Sequence, residues 1–516
     1  MTDTDSLSEA LKAITVTTEL IDEELKPHLD TVLASLLDKK KDAAVEIVRS
    51  GILPTLAQAL RSKSVLSCQV ALVVAEMARE AAVREPCIEA GLVKVLVPHL
   101  NSNNQEMLLN TGRAIGRICF DNSYQQDQLV QSGVIPRLIS IIREYPQNDP
   151  LVNVCLLALC NLADMDSARE ALAALDVADV LTFQLRRAPD GERRHVILEI
   201  LGSLGESDTL KLQFAESGVP EALSEMIRTL QGGSDPHDLC SIKIASNLIV
   251  SLLLGDESMQ KCFGEGSGLV YQDVLSWLQS SNTQLQLSGA LAIANFARND
   301  SNCVKMLDLG VVPHILTLLE QHVDEGDVSV QHAGLSMMVD GQEEAALVLG
   351  RDAVLLARVM EWCEAKDHAG VRGEASRLLA ALIRHSRSPE VVHAVAKADG
   401  VRHLISMATS EHVIMQNEAL VALAIASAID IESMKDPVLE AELLPMLKKM
   451  LEDPVGAVEV KFSALGLICS LANSSVMKVE LNSVNMKESI SKLTDHSSSK
   501  LASQAGSILA SLGDSS

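Results

Sequence analysis

The sequence predicts an all-α fold built from stacked helical repeats, and three observations lead to that prediction. Hydrophobic residues make up 47% of the chain, yet aromatic residues make up only 2%. A core of leucine, alanine, valine and isoleucine with few rings suits thin helical layers that each touch only their neighbours. Alternating β-branched and polar residues, the pattern of a strand, are rare. A glycine-containing phrase also recurs along the chain at a nearly constant interval.

The recurring phrase consists of a small residue, glycine, an aliphatic residue, three variable residues and leucine. Weaker copies near Asp176, Gly268 and Gly350 divide the three long gaps between clear copies. The period is therefore about 42 residues, in the range of HEAT and armadillo repeats. The clear copies contain Gly51, Gly91, Gly133, Gly218, Gly310 and Gly400.

Each unit is predicted to hold three helices with a short first helix, and this favours armadillo over HEAT repeats. The glycine readily takes a positive φ, so we expect it to form the turn between the last helix of one repeat and the next repeat. An amphipathic helix such as "PRLISII" follows, and a longer helix such as "EALVALAIAS", apolar nearly all round, closes the unit. The predicted architecture is an armadillo-repeat right-handed α-solenoid whose third helices line a concave groove.

The repeat pattern also predicts how the chain is organised. Residues 1–45 are expected to form an N-terminal helical cap, and residues 46–490 a continuous armadillo-repeat array. Residues 491–516 are expected to form a C-terminal capping helix with a frayed tail. No segment of the sequence indicates a second domain.

Charge and motifs point to a binding protein rather than an enzyme. The net charge of −26, from 69 acidic and 43 basic residues, argues against nucleic acids and anionic membranes as partners. It favours a basic partner, although acidity that serves only solubility is an equal alternative. Walker A, HExxH and CxxC motifs do not occur, so no catalytic residue, metal site or cofactor is predicted.

The cysteines and the apolar segments predict a cytosolic protein. Cysteines such as Cys155 and Cys160 lie in apolar helical stretches, as free thiols do in a reducing compartment. The first residues lack the apolar core of a signal peptide, and the longest apolar run, residues 419–429, is too short to span a bilayer. Direct membrane insertion is not expected, and a monomer is.

Aligning the predicted third helices places one residue per repeat at the groove. Asparagine at such a position can donate to and accept from the backbone of an extended peptide. Only Asn161 and Asn295 carry it, so a continuous asparagine ladder of the importin-α kind is not predicted. The aligned positions are Glu76, Arg117, Asn161, Ser203, Leu252, Asn295 and Asp340.

Carboxylates at the ends of these helices are expected to form an acidic strip that binds a lysine- and arginine-rich segment. For any single carboxylate, helix capping is the favoured alternative. Together with Asn161, the strip contains Asp164, Asp166, Glu206, Asp208, Asp256 and Asp300.

Four long stretches carry a family resemblance: "LLLGDESMQKCF", "QLQLSGALAIANFARNDSNCVKM", "EWCEAKDHAGVRGEASRLLAALIRHSRS" and "MATSEHVIMQNEALVALAIASA". They resemble the SmgGDS family, the guanine-nucleotide dissociation stimulators of small GTPases. The resemblance is densest from Asn247 to Ile429. It implies an armadillo protein that binds small GTPases of Rho, Rap or Ras type, Rho above all, through a polybasic, prenylated C-terminus. It also implies two activities, nucleotide exchange without covalent catalysis and chaperoning of the prenyl group.

The resemblance is to the shorter form of the family, and about one further repeat is missing. Residues 330–350 join the first half of one third helix to the second half of the next, and Asp340 stands where the family would have asparagine. Two alternative functions remain: a pure prenyl-GTPase chaperone without exchange activity, and an armadillo scaffold for basic linear peptides.

The C-terminal third helices are expected to hold the switch regions of the GTPase. For the polar residues in "RGEASR" and "MQNE", ordinary hydrogen bonding between repeats is the alternative. The candidate contacts are Asn295, Asn299, Arg372, Arg377, Gln416 and Asn417.

Overall fold

The computed structural model describes residues 3–16, 21–62, 64–322, 343–366 and 368–513. These residues form α-helices, short 3-10 helices and connecting loops, and none of them lies in a strand. The all-α prediction is therefore confirmed. The chain separates into two compact units, Met1–Gly255 and Asp256–Ser516, which are described in turn.

In the first unit, two helices precede five repeats of three helices. The 3-10 helices Ala81–Val83 and Val97–Asn101 extend the first and second helices of the second repeat. The α-helices are α1 (Asp3–Val16), α2 (Asp22–Leu37), α3 (Ala43–Arg49), α4 (Leu53–Arg61), α5 (Ser67–Met77), α6 (Arg84–Glu89), α7 (Leu92–Leu96), α8 (Gln105–Ile118), α9 (Ser123–Gln131), α10 (Val134–Glu144), α11 (Asp149–Ala163), α12 (Asp166–Ala173), α13 (Val177–Arg186), α14 (Gly191–Leu204), α15 (Asp208–Glu216), α16 (Val219–Leu230) and α17 (Pro236–Leu252).

The second unit repeats the same three-helix pattern, with the 3-10 helix Gly264–Gly266 after its first helix. Asp340 and most of the predicted junction at residues 330–350 lie outside the described residues. The α-helices are α18 (Asp256–Phe263), α19 (Leu269–Trp277), α20 (Thr283–Ala297), α21 (Asp300–Asp308), α22 (Val311–His322), α23 (Glu343–Arg351), α24 (Ala353–Cys363), α25 (Ala369–Ser386), α26 (Pro389–Lys397), α27 (Gly400–Ala408), α28 (Val413–Ile429), α29 (Ile431–Glu440), α30 (Leu443–Glu452), α31 (Val458–Leu471), α32 (Ser475–Ser483), α33 (Met486–Ser491) and α34 (Ser499–Gly513).

Helices lie at both ends of the described chain. Helices α1 and α2 precede the first repeat, which begins at Ala43, and α34 is the third helix of the last repeat. The continuity of one array over residues 46–490 stays a prediction.

Among the described helices, none is by itself long and apolar enough to cross a membrane. Helix α17 reaches the required length and apolar composition only when it is taken together with the helical segment Asp256–Gly266.

Third helices pack against third helices of the neighbouring repeats within each unit. The series is α5, α8, α11, α14 and α17 in the first unit, and α25, α28, α31 and α34 in the second. Small residues keep these helices close, since a Cβ on Gly112 of α8 would lie 2.7 Å from Cγ1 of Val154 in α11. Leucines such as Leu159 and Leu201 are fully buried. The scarcity of rings therefore matches the close stacking that the composition predicted.

The glycine turns lie inside the repeats, between the first and second helices, and this corrects the prediction that they separate one repeat from the next. At Gly133 the φ angle is 77°, and the backbone N–H donates to the carbonyl oxygen of Val130 at 3.1 Å. This bond closes the short helix α9, and the missing Cβ removes the steric cost of the left-handed conformation. Gly51, Gly91, Gly218 and Gly310 have φ angles between 72° and 79° as well.

Three copies, the clear one at Gly400 and the weaker ones at Asp176 and Gly350, differ from this glycine turn. Asp176 and Asp399 take left-handed φ angles of 50° and 65°, so the turn precedes Gly400 rather than occurring at it. Gly350, which was predicted to be a turn, lies within α23, where a Cβ would stand 2.6 Å from Cγ1 of Val391. At that position glycine allows close packing of two helices.

Candidate binding site on the third helices

An open groove of about 280 Å³ lies between the third helices α8 and α11 of the first unit. It exists because Gly116 and Ala158 fill little of the space between the two helices. A Cβ placed on Gly116 would meet no atom within 4 Å. Phe120 and Leu157, which also line the groove, are 51% and 53% exposed. The groove therefore presents apolar surface to solvent.

A smaller, partly open cavity of about 20 Å³ adjoins the groove. Gly112, Gly116, Ala158 and Asn161 line both spaces, so the two are immediate neighbours. A cavity of this size holds about one water molecule. Its remaining lining is almost entirely apolar and comes from Leu100, Ile115, Cys119, Gln126, Leu129, Val134, Leu138 and Leu162.

Three arginines line the same groove. The guanidinium of Arg84 lies 5.3 Å from the ring centroid of Phe120. Arg117 donates to the Glu76 carboxylate at 3.3 Å. Arg113 is half-buried and has neither a hydrogen bond nor an ion pair within the part of the chain that the structure describes. The groove thus combines apolar surface with positive charge.

The pKa of Arg117 is affected by burial and by the charged side chains near it. Burial lowers the pKa of Arg117, and the contact with Glu76 opposes that effect. The positive charges of Arg79 and Arg113 lower the pKa of Arg117 further. Glu76 also pairs with Arg79 at 2.9 Å, so one buried carboxylate serves two guanidinium groups.

The predicted acidic residues of the α11 region follow the groove-lining Asn161 along the chain. Asn161 is half-buried in α11 and contacts both apolar spaces. Asp164 follows the last residue of α11 and accepts a hydrogen bond from Oγ of Ser203 at 3.3 Å. Asp166 begins α12, is exposed, and pairs with Arg169 of the same helix. These residues form the end of the third helix and the start of the next repeat.

The remaining predicted carboxylates occupy equivalent helix ends, each in its own unit. Glu206 is exposed between α14 and α15 of the first unit. Asp208 begins α15, and its pairing with Lys211 at 2.8 Å lowers the pKa of Asp208. In the second unit, Asp256 begins α18 and pairs with Arg298. Both pairs leave the carboxylates exposed.

In the second unit, the predicted binding residues in and after the third helix α20 differ in burial and in hydrogen bonding. Asn295 is half-buried within α20. Asn299 caps α21, because its side chain accepts from the backbone N–H of Asn302 at 3.1 Å. Asp300 is the exposed first residue of α21. In the structure, Asn299 therefore serves as the N-cap of α21.

The arginine candidates hold parts of the second unit together. Arg372 donates to the carbonyl oxygens of Ala365 and Lys366 at 2.6 and 2.8 Å. Arg377 in α25 donates to Glu418 in α28 at 2.9 Å, and this hydrogen bond raises the pKa of Arg377. Arg372 thus secures the loop that follows α24, and Arg377 joins two adjacent third helices.

The start of α28 carries the remaining candidates. Asn417 accepts a hydrogen bond from the hydroxyl of Ser463 in α31 and so joins two third helices. Gln416 is half-buried and lines an open cleft of about 700 Å³ together with Lys448. The neighbouring Ile414 is 71% exposed. Among the described residues the Gln416 side chain has no hydrogen-bond partner, so a partner protein could contact it and Ile414 without displacing one.

Some predicted groove positions do not face a groove, and other residues were missed. Leu252 is fully buried and Glu76 is 8% exposed. The sequence interpretation missed Arg84, Arg113 and Phe120 as groove residues. The available signal was the pair of glycines within the helical stretch "TGRAIGRICF", since glycine inside a helix often marks a close approach or an open space.

Comparison with known proteins gives the family. No family model matches the chain. The Rap1 GTPase-GDP dissociation stimulator 1-B of Xenopus laevis is 38% identical over 595 residues, which include 97% of this chain and 98% of that protein. The chain belongs to the family of GTPase-GDP dissociation stimulators. A more distant member, the GTPase-GDP dissociation stimulator vimar of Drosophila melanogaster, is 27% identical over 427 residues, or 66% of this chain and 65% of that protein.

The alignment with the Xenopus stimulator also bears on the number of repeats. It spans 595 residues and includes 97% of this 516-residue chain, about 501 residues, so the two numbers differ by about 94. That difference is close to two repeat lengths of about 42 residues. It agrees with the predicted resemblance to a shorter form that lacks one further repeat.

Solved structures identify the fold of these stimulator repeats. An engineered protein matches with a TM-score of 0.65 and 21% identity, covering 82% of this chain and 99% of that one. A chain from a structure concerned with the interaction between cadherin and beta-catenin matches with a TM-score of 0.62 and 16% identity, covering 98% and 91%. Together with the three-helix repeats, these matches confirm the armadillo fold.

Proposed function

We propose that this stimulator binds small GTPases through their polybasic, prenylated C-terminus and accelerates the release of GDP from them. Relatives at 37–38% identity over nearly the whole chain are named as dissociation stimulators for the Rap1 GTPase. The observation that carries the proposal here is the apolar groove beside the acidic end of α11. Rho-type GTPases are the proposed principal clients, on the resemblance of the sequence.

The order of features along α11 matches the order of groups in such a C-terminus, where the basic segment precedes the lipid. Asn161 lines the apolar groove, and Asp164 follows three residues later at the end of the helix. That separation is about 4.5 Å along a helix axis. The basic segment would therefore lie on Asp164, Asp166 and Glu206 while the lipid enters the groove.

The apolar groove and the adjoining cavity provide the proposed lipid site. Burial of a hydrocarbon chain contributes about 0.8 kcal/mol per CH₂ group, so a prenyl group gains substantially even from partial burial. A small separation of α8 and α11 would join the groove to the cavity, because the two spaces share lining residues on both helices. Such a site would shield the lipid, as the chaperone role requires.

Exchange would be a binding effect, with no covalent step. A protein that binds the nucleotide-free GTPase more tightly than the GDP-bound form shifts the equilibrium towards nucleotide release. Among the predicted contacts in the second unit, Gln416 and its exposed neighbour Ile414 are proposed to touch the GTPase directly. Arg372, Arg377, Asn299 and Asn417 are proposed to shape that surface, because each has a hydrogen bond within the fold.

We also propose that the protein acts in the cytosol. All ten cysteines are free, and Cys240 and Cys469 are exposed. Exposed free thiols are typical of a reducing compartment.

The full chain is expected to accelerate release of labelled GDP from a prenylated Rho-type GTPase, and to act less on the same GTPase without the lipid. The physical reason is that the lipid and the basic segment supply binding free energy that the GTPase domain alone lacks. The measurement is stopped-flow fluorescence at saturating protein. Binding of the prenylated client without faster release would leave a pure chaperone and contradict the exchange role.

Reversing two charges at the third-helix ends, Asp164→Lys with Glu206→Lys, is expected to weaken binding of the prenylated client about tenfold and to reduce its salt dependence. Binding is measured by fluorescence anisotropy at two salt concentrations. The matched control, Glu89→Lys with Glu216→Lys, makes the same change at the exposed ends of first helices α6 and α15. Equal loss of affinity in both double variants would mean that only net charge matters.

Filling the groove with Gly116→Leu is expected to weaken binding of the prenylated client at least about tenfold, since a leucine side chain occupies space that the lipid needs. The control is Gly202→Leu in the third helix α14, where a Cβ also meets no atom within 4 Å. Both changes favour the helix by about 1 kcal/mol. Unchanged affinity for the prenylated client in Gly116→Leu would place the lipid elsewhere.

A further inference from the structure

The groove between α8 and α11 carries a local excess of positive charge in an acidic protein. Arg84, Arg113 and Arg117 all line it, and the chain has a net charge of −26. The nearby buried carboxylate, Glu76, is shared between Arg117 and Arg79. Neither a prenyl chain nor a polybasic segment explains these charges, because the first is neutral and the second would be repelled.

The three arginines differ in the number of hydrogen-bond acceptors that the fold provides for their guanidinium groups. Arg84 donates to the carbonyl oxygen of Ala78 at 3.4 Å, and Arg117 donates to Glu76 and to the carbonyl oxygen of Ala75. Arg113 is half-buried without such a partner among the described residues. A partly desolvated guanidinium lacking an acceptor gains more from an arriving anion than a fully exposed one does.

We propose that Arg113, assisted by Arg84 and Arg117, binds the free α-carboxylate of the prenylated C-terminal cysteine, so that this site distinguishes the carboxylic acid from its methyl ester. The inference rests on the proposed function and specifies its ligand. A guanidinium matches a carboxylate in a planar arrangement of two parallel hydrogen bonds. Methyl esterification removes the charge and leaves a weaker acceptor.

Charge complementarity also fixes the direction of the bound segment. The carboxylate and the lipid lie on the same terminal residue, so both belong at the groove that holds the arginines and the apolar surface. The basic residues that precede them are repelled by Arg113 and attracted by Asp164 at the end of α11. One terminal residue thus fits the arginine-lined groove, and the segment before it fits the acidic helix ends.

The test compares two fluorescent peptides with the same basic segment and farnesylated C-terminal cysteine, one a free acid and one a methyl ester. With the full chain, the acid is expected to bind about tenfold more tightly, as for a charge-assisted hydrogen bond gained. In Arg113→Gln the two peptides are expected to bind equally, and in Arg113→Lys the ratio is expected to be intermediate. The control Arg49→Gln removes one exposed charge at the end of α3 and is expected to keep the full ratio.

Three outcomes would overturn the inference, and they differ in what else fails. Equal binding of acid and ester by the unmodified chain would overturn it while leaving lipid binding intact. No binding of either peptide would also contradict the proposed lipid function. Displacement of the acid peptide by oleate at equal concentration would show a general site for anionic lipids rather than one for a prenylated cysteine.

Discussion

The packing of third helices against the third helices of adjacent repeats, within each unit, is the constraint on which the rest of this structure depends. A helix with neighbours on two sides must be apolar over most of its surface and slender enough to allow close approach. Leucine and alanine meet both needs, and glycine at position 112 allows α8 to approach Val154. Where the residues are smaller than the stacking requires, as at Gly116, a gap remains. The candidate lipid groove is such a gap.

Polar residues on these helices divide into those that maintain the stack and those that remain open to a partner. Arg377 and Asn417 bond to adjacent third helices, and Asn299 caps the helix that begins beside it. Arg113 and Gln416 line open spaces without such bonds among the described residues. The first group of side chains stabilises the fold, and the second group can form hydrogen bonds with a partner.

Much of the fold could be predicted from the sequence, because the residues that recur at the repeat period have clear structural roles. Gly133 and its equivalents mark left-handed turns, and the apolar third helices are recognisable by composition. The position of the glycine turn within the repeat was harder to predict, because a turn residue does not show whether it lies inside a repeat or between two repeats. Of the three groove arginines, the alignment of third helices predicted Arg117 but not Arg84 or Arg113, because pairing and burial depend on the neighbouring repeat. Arg117 faces Glu76, forty-one residues earlier, whereas Arg113, only four residues away on the same helix, faces no carboxylate within the described chain.

The central claim is that the space between α8 and α11 receives the lipid of a GTPase client. Photo-cross-linking tests it most directly, with a basic client peptide whose prenyl chain carries a diazirine and with the full-length protein. The account predicts adducts on α8 and α11, at residues such as Leu157 and Phe120, and their loss when unlabelled prenylated peptide competes. Adducts confined to the second unit, or adducts that competition does not reduce, would contradict it.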